Sequence, residues 1–238
     1  MSEAISLIER NDGTITNDTG GDPAVAQVLG HRRYWIGCDL GQSHDFSSTV
    51  VIEDEQLPTM QDGVCVLGPR TLTVVFADKF RGASYVAVAD YLVRLRNAVP
   101  FAGKSKLVID GTGLGRVMSD LLNDQGIDHL AVQFTSGQEW RRSGRYINAS
   151  KTLMVENTAV LFSTGELTFA HDLPMRNELE AELASFTVQT TAAGNSVIGQ
   201  SRTASGHGDA AISLIIGCFA AQYLKPQTVG QAKLRGWF

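Results

Sequence analysis

The hydrophobic positions fall into short β-branched runs early in the chain and into alternating strand-like and helix-like segments after it. YWIGCDLG (34–41) and SSTVVIED (47–54) are apolar runs separated by the polar stretch QSHDF, and TLTVVFADKF (71–80) follows. They predict an antiparallel meander of three strands. ASYVAVADYLVRLRNA (83–98) has apolar residues near helical spacing, SKLVID (105–110) is a short strand of buried type, and the glycine-rich GTGLG (111–115) leads into a helix at RVMSDLLNDQG. HLAVQFT (129–135) predicts a fifth strand. A basic loop follows, then helices over NASKTLMVENTAVLFSTG (148–165) and LPMRNELEAELASF (173–186). FTVQTTAAGNSVIGQS (186–201) reads as a hairpin turning at Gly194-Asn195, and DAAISLIIGCFAAQYL (209–224) as a strongly apolar helix.

Residues 1–33 are rich in Gly, Asn, Asp and Thr without sustained period and read as a flexible leader, with the folded domain beginning near Tyr34. The last segment, 225–238, opens on Lys225-Pro226 and carries basic but no acidic side chains, so it reads as a tail beyond the last helix. The domain itself spans 34–224. Three strands, a helix, a strand, a helix, a strand and further helices is the order of an RNase H-like α/β fold. Its central sheet is mixed, three antiparallel strands followed by parallel ones, flanked by helices and here extended by one β-hairpin.

Composition narrows the function. In 238 residues, 43% hydrophobic, there is enough apolar surface for one α/β domain. No apolar run nears the roughly 20 residues that span a bilayer, and the first residues lack a signal-peptide pattern, which predicts a cytoplasmic protein with no membrane partner. Cys38, Cys65 and Cys218 form no C-x-x-C pair and read as free thiols. With 20 Lys+Arg against 25 Asp+Glu, the net charge of −5 excludes coating nucleic acid by bulk positive charge, so any DNA contact must be a local patch.

Three aspartates stand out against this background. Asp39 sits among Ile36, Cys38 and Leu40 in the first strand, where an uncompensated charge is costly. Asp110 ends an apolar strand at the edge where α/β sheets place ligands. Asp209 opens the last helix, where a helix cap competes with a ligand role. Hydrolysis of a phosphodiester by two hard cations needs several carboxylates converging on one point, and these three come from separate elements.

GCDLGQSHDFSSTVVI, LVIDGTGLG, VQFT, NASKTLMVENTAVLFSTGEL, NELEAELASF and GHGDAAISL together resemble, in order and spacing, the nuclease domain of the large terminase subunit of tailed bacteriophages, over roughly Tyr34 to Leu224. The resemblance implies a metal-dependent endonuclease that cuts double-stranded DNA with two Mg²⁺ or Mn²⁺ ions. It implies Asp39, Asp110 and Asp209 as catalytic metal ligands, with His207 at the motif's histidine position. Gly208 stands where a further aspartate often lies. Asp45 resembles an aspartate of the family's first hairpin, although turn chemistry is the favoured reading and leaves it at most a supporting role. No G-x-x-x-x-G-K-[ST] loop occurs, so the packaging ATPase that accompanies this domain in the family is expected to act as a separate partner, beside a small terminase subunit and a portal protein, in the bacterial host cytoplasm.

Arg141, Arg142, Arg145 and Lys151, interleaved with Trp140 and Tyr146, form the candidate DNA-binding patch, and the resemblance places Lys151 near the active-site edge. Two other readings stay open. DLG and DGTGLG also look like phosphate loops of actin-like or sugar-kinase ATP-binding proteins, although the two aspartates lie only 71 residues apart (110 − 39), too close for two lobes. A non-catalytic packaging interaction module is the other.

Overall fold

The computed structural model describes residues 5–22, 24–41, 46–136, 139–190, 196–200 and 208–224. A small hairpin, β1 (Leu7–Glu9) and β2 (Thr14–Asn17), precedes three long antiparallel strands, β3 (Leu29–Asp39), β4 (Phe46–Gln61) and β5 (Val64–Arg81). Then come α1 (Tyr85–Asn97), β6 (Ser105–Asp110), α2 (Leu114–Asp124) and β7 (His129–Thr135). They are followed by β8 (Trp140–Ser143), β9 (Tyr146–Ser150), α3 (Lys151–Ser163), β10 (Leu167–Phe169) and α4 (Arg176–Ala184). The hairpin β11 (Phe186–Thr190) and β12 (Ser196–Gln200) leads to α5 (Asp209–Tyr223).

The main sheet runs β10-β5-β4-β3-β6-β7-β9-β8. β3, β4 and β5 pair antiparallel, whereas β6 joins β3, β7 joins β6 and β9 joins β7 in parallel, which is the mixed sheet expected from the element order. Two expectations need correction. Residues read as leader form β1 and β2, and β2 pairs with β3 at Thr14↔His31, on the stretch of β3 that precedes its first pairing with β6. These strands are too short and polar to show a period in sequence. The segment read as a basic loop is instead the edge hairpin β8–β9, held by Arg141↔Asn148 and Arg142↔Ile147. The turn at Gly194-Asn195, His44, Asp45, His207 and the tail 225–238 lie outside the described residues.

β3 divides the core by its period of two. Tyr34, Ile36 and Cys38 face α1 and α2, while Trp35 faces the layer containing α3, α4 and α5. α5 is apolar all round because it is enclosed all round: Ala210 through Ala221 are buried against sheet and flanking helices. It can lie this close to the sheet only because Gly37 has no side chain. A Cβ there would collide with the Ser213 carbonyl. Cys38 and Cys218 are buried free thiols, and Cys65 is partly buried and free. No helix among the described residues is long and apolar enough to cross a membrane.

Candidate active site

Asp39 is the last residue of β3, one step beyond the paired Cys38↔Ile109, and Asp110 is the last residue of β6. Alternation puts both on the face covered by α5, whose first residue is Asp209. The sheet edge therefore brings the three aspartates together. Their electrostatics record it: burial raises the Asp39 carboxyl well above the usual range, and the charges of Asp110 and Asp209 raise it further, against the Leu40 N–H and Lys151. Asp110 is also raised by burial, offset by Thr112 and Lys151. Among the described residues no three His, Cys, Asp or Glu side chains already stand at metal-ligand spacing.

The surroundings hold these groups in place. Ser213, one turn into α5, accepts the Asp39 N–H at 2.9 Å, donates to the Ser48 carbonyl at 3.1 Å and lies 2.6 Å from the Ser48 hydroxyl. It thus pins the helix carrying Asp209 to the strand carrying Asp39. The Thr112 N–H donates to Asp110 Oδ1 at 2.7 Å. The glycine-rich turn serves close packing here, since a Cβ on Gly115 would collide with the Asp110 carbonyl.

The helix-cap reading of Asp209 meets a competitor. Glu182 on α4, fully buried, accepts the Ala211 N–H at 3.0 Å and so caps α5 from outside. Its other oxygen lies 2.7 Å from Lys79 Nζ, which also approaches Glu178 at 3.1 Å and Asp209 at 3.7 Å. Burial opposes the Lys79 charge, yet Glu182 and Glu178 raise its pKa. The register Asp39↔Ser48↔Lys79 carries this ammonium two strands from Asp39 on the same line. Sequence reasoning missed Lys79, Glu178 and Glu182. The available signals were a lysine closing an apolar strand and two glutamates at i, i+4.

No family model matches the chain. It is 24% identical over 183 residues to the large terminase subunit of Thermus virus P23-45, a match that takes in 77% of this chain and 30% of that protein. The chain thus spans less than a third of this relative's length. Its structure aligns with the large terminase nuclease of thermophilic phage G20c with bound magnesium at a TM-score of 0.50 and 23% identity, covering 79% of this chain and 81% of that one. The large terminase nuclease domain of Thermus phage P74-26 aligns with the same TM-score at 22% identity, covering 78% of each. The fold is that of a large-terminase nuclease.

On this terminase-nuclease fold, which is RNase H-like, the expected DNA-binding residues are spread out. Lys151 opens α3 behind the Ser150 cap, half-buried; burial lowers its pKa while Asp39 and Asp110 raise it. Arg145 is held by Asp120 at 3.0 Å and by Asn123. Arg141 and Arg142 are exposed on β8. Their strand lies three spacings from β6, roughly 14 Å across the sheet. The aromatics interleaved with that patch make intramolecular contacts: Trp140 packs edge-on to Phe219, and the Tyr146 hydroxyl donates to Asp120 at 3.1 Å. A cavity of about 380 Å³ lies beside the glycine-rich turn, lined by Gly111, Thr112, Arg116, Gln133, Thr135 and Asn148. Arg116 was not singled out by the sequence.

Proposed function

We propose that this chain is a metal-dependent endonuclease that cuts double-stranded DNA in phage genome packaging, with residues 34–224 as the nuclease unit. The observation that carries the reading is the meeting of Asp39, Asp110 and Asp209 at one sheet edge, where they raise the cost of ionising Asp39. Similarity to terminase nucleases, one of them solved with magnesium, supports it. A hard-oxygen donor set with mutual repulsion fits Mg²⁺ or Mn²⁺. Asp39, Asp110 and Asp209, with His207, are the residues to hold two such ions, which when bound supply neutralisation of the phosphodiester and an acidified water.

The chain's own groups do the rest. The Ser213 hydroxyl anchors the backbone of Asp39, and the Thr112 N–H orients the Asp110 carboxylate. Lys151 faces both carboxylates and can hold a scissile-strand phosphate. Arg116, beside the glycine-rich turn, and Arg141 and Arg142, exposed on β8, are further phosphate contacts of this reading, and Arg145 joins them by leaving Asp120. The DNA, a packaging ATPase activity, a small terminase subunit and a portal protein are the partners of this reading, in the bacterial host cytoplasm.

Supercoiled plasmid is expected to be nicked and linearised with Mn²⁺ or Mg²⁺, protected by EDTA and indifferent to ATP. Cleavage that survives chelation excludes the metal mechanism. ATP binding without cleavage would favour the actin-like reading, and neither activity a non-catalytic module.

The raised carboxyl of Asp39 gives a second expectation. Its folded pKa lies above the unfolded value, so the stability of the protonated form is complete below the ordinary carboxylate value and is lost as pH rises through the folded one. Metal needs the ionised form. The rise in melting temperature caused by Mg²⁺ is therefore expected to grow with pH above about 4, whereas the metal-free protein loses Asp39's contribution over the same interval. Melting curves with and without Mg²⁺ between about pH 4 and about pH 8 test this. A pH-independent shift would contradict it.

A further inference from the structure

At the opposite end of β3, a buried carboxylate has more cations around it than it can neutralise. Asp54 on β4 is 1% exposed. It accepts from Arg70 Nε at 2.6 Å and Nη2 at 2.9 Å and from Trp35 Nε1 at 3.1 Å, and it lies 3.1 Å from His31 Nε2. Arg70 spends its other contacts on Gln222 Oε1 and the Ala221 carbonyl. Arg33 stands directly across the strand pair from Asp54, yet finds both oxygens taken. Its Nε stops 3.6 Å from Oδ2, beyond hydrogen-bond range.

Arg33 is therefore left under-compensated. Its side chain is only 19% exposed, and its Nε is buried without an acceptor. Burial and the neighbouring Arg70 both push against its charge, with Asp54 alone favouring it. A buried polar group of this kind ordinarily has a partner. The two arginines against one carboxylate leave this cluster with an excess positive charge before His31 is counted.

The arginine lines a cavity of about 320 Å³ between the β1–β2 hairpin and the residues entering β6, with Thr14, Gly30, His31, Lys104 and Lys106 also on its wall. Asp12 is the one acid there, and it accepts the Thr14 N–H at 2.9 Å. Lys104 pairs with Glu9, and Lys106 with Asp128 at 3.3 Å. Lys106 can reorient at small cost, because its ion pair is open to solvent and such pairs contribute little.

We propose that this cavity is an oxyanion site that takes a phosphate group, with Arg33 as its principal ligand and Lys104 and Lys106 as auxiliaries. A guanidinium fork matches two phosphate oxygens, and a dianion offsets the charge that Asp54 leaves over. Arg33 precedes Asp39 by six residues on one strand, roughly 20 Å, so the phosphate is not the scissile one. It belongs either to a small phosphate-bearing ligand or to nucleic acid extending past the active site.

The probe is inorganic phosphate, added to the full chain in EDTA at about 10 mM against chloride of matched ionic strength. Wild type is expected to gain a few degrees in melting temperature in phosphate over chloride. Arg33→Met is expected to lose that gain, and Arg33→Lys, which keeps the charge without the fork, most of it. Isothermal titration with phosphate gives the same comparison if either variant melts differently at the start. Equal melting of wild type in the two salts, or an undiminished gain in Arg33→Met, overturns the site. Duplex DNA binding in EDTA then separates the sources. A salt slope lower by about 1 in Arg33→Met assigns the site to nucleic acid, and an unchanged slope with the phosphate gain lost assigns it to a small ligand. Because no arm needs cleavage, the outcome stands apart from the nuclease reading.

Discussion

Replacing Asp39 by Asn is expected to abolish cleavage while leaving the metal-free protein at least as stable as wild type. Asparagine keeps the shape and the strand position but removes the charge that a divalent cation needs, so turnover should fall by about 10³-fold or more, equivalent to about 4 kcal/mol of barrier. The stability half of the result follows from the same geometry. In the absence of metal the Asp39 carboxylate is disfavoured by burial and by Asp110 and Asp209, so a neutral side chain relieves an unfavourable interaction. The bond from the Asp39 N–H to the Ser213 hydroxyl uses only the backbone of Asp39 and survives the change. A melting curve and a plasmid assay on one preparation check both halves. A variant that melts much lower would mean that lost cleavage reports misfolding, and near-wild-type cleavage would remove Asp39 from the ligand set.

The three aspartates were legible because each violates its local pattern: a charge inside an apolar strand, a charge ending one, and a charge opening an apolar helix. Their meeting followed from element order together with the period of two that turns Asp39 and Asp110 to one face. The supporting charges were not legible. Asp54 lies in the acidic run Glu53-Asp54-Glu55, which reads as a solvated strand end, and only pairing with β5 shows that Arg70 buries it. Glu182 belongs to a helix so rich in acids that it reads as a solvent face, whereas its carboxylate is fully buried between Lys79 and the start of α5. The β1–β2 strands lie in a polar segment whose order depends on pairing with β3, a long-range contact that no local pattern encodes. In each case the missing information is the partner, which sequence spacing does not reveal.

Asp209 and Glu182 give the other large effects, the first on activity alone and the second on stability first. Asp209→Asn is expected to keep the metal-free melting temperature close to wild type, because the Ala211 N–H at the helix start is satisfied by Glu182 and because Lys79 retains Glu178 and Glu182. The variant should nevertheless lose activity by orders of magnitude, along with the stabilisation that metal confers, about 2.7 kcal/mol for a wild-type site at a hundredfold excess over its Kd. Glu182→Ala should do the reverse first: it strips the cap from α5 and leaves the Lys79 ammonium, 4% exposed, without its nearest partner, a loss of about 3–5 kcal/mol by analogy with other broken buried pairs. Its activity then falls because the helix bearing Asp209 and Ser213 is no longer held against β3 and β4. Thermal melts with and without Mn²⁺ beside plasmid cleavage separate the two residues. If Asp209→Asn lowers the metal-free melting temperature as much as Glu182→Ala does, Asp209 is a structural residue of the helix start. If it leaves cleavage intact while His207→Ala abolishes it, the third metal position belongs to His207.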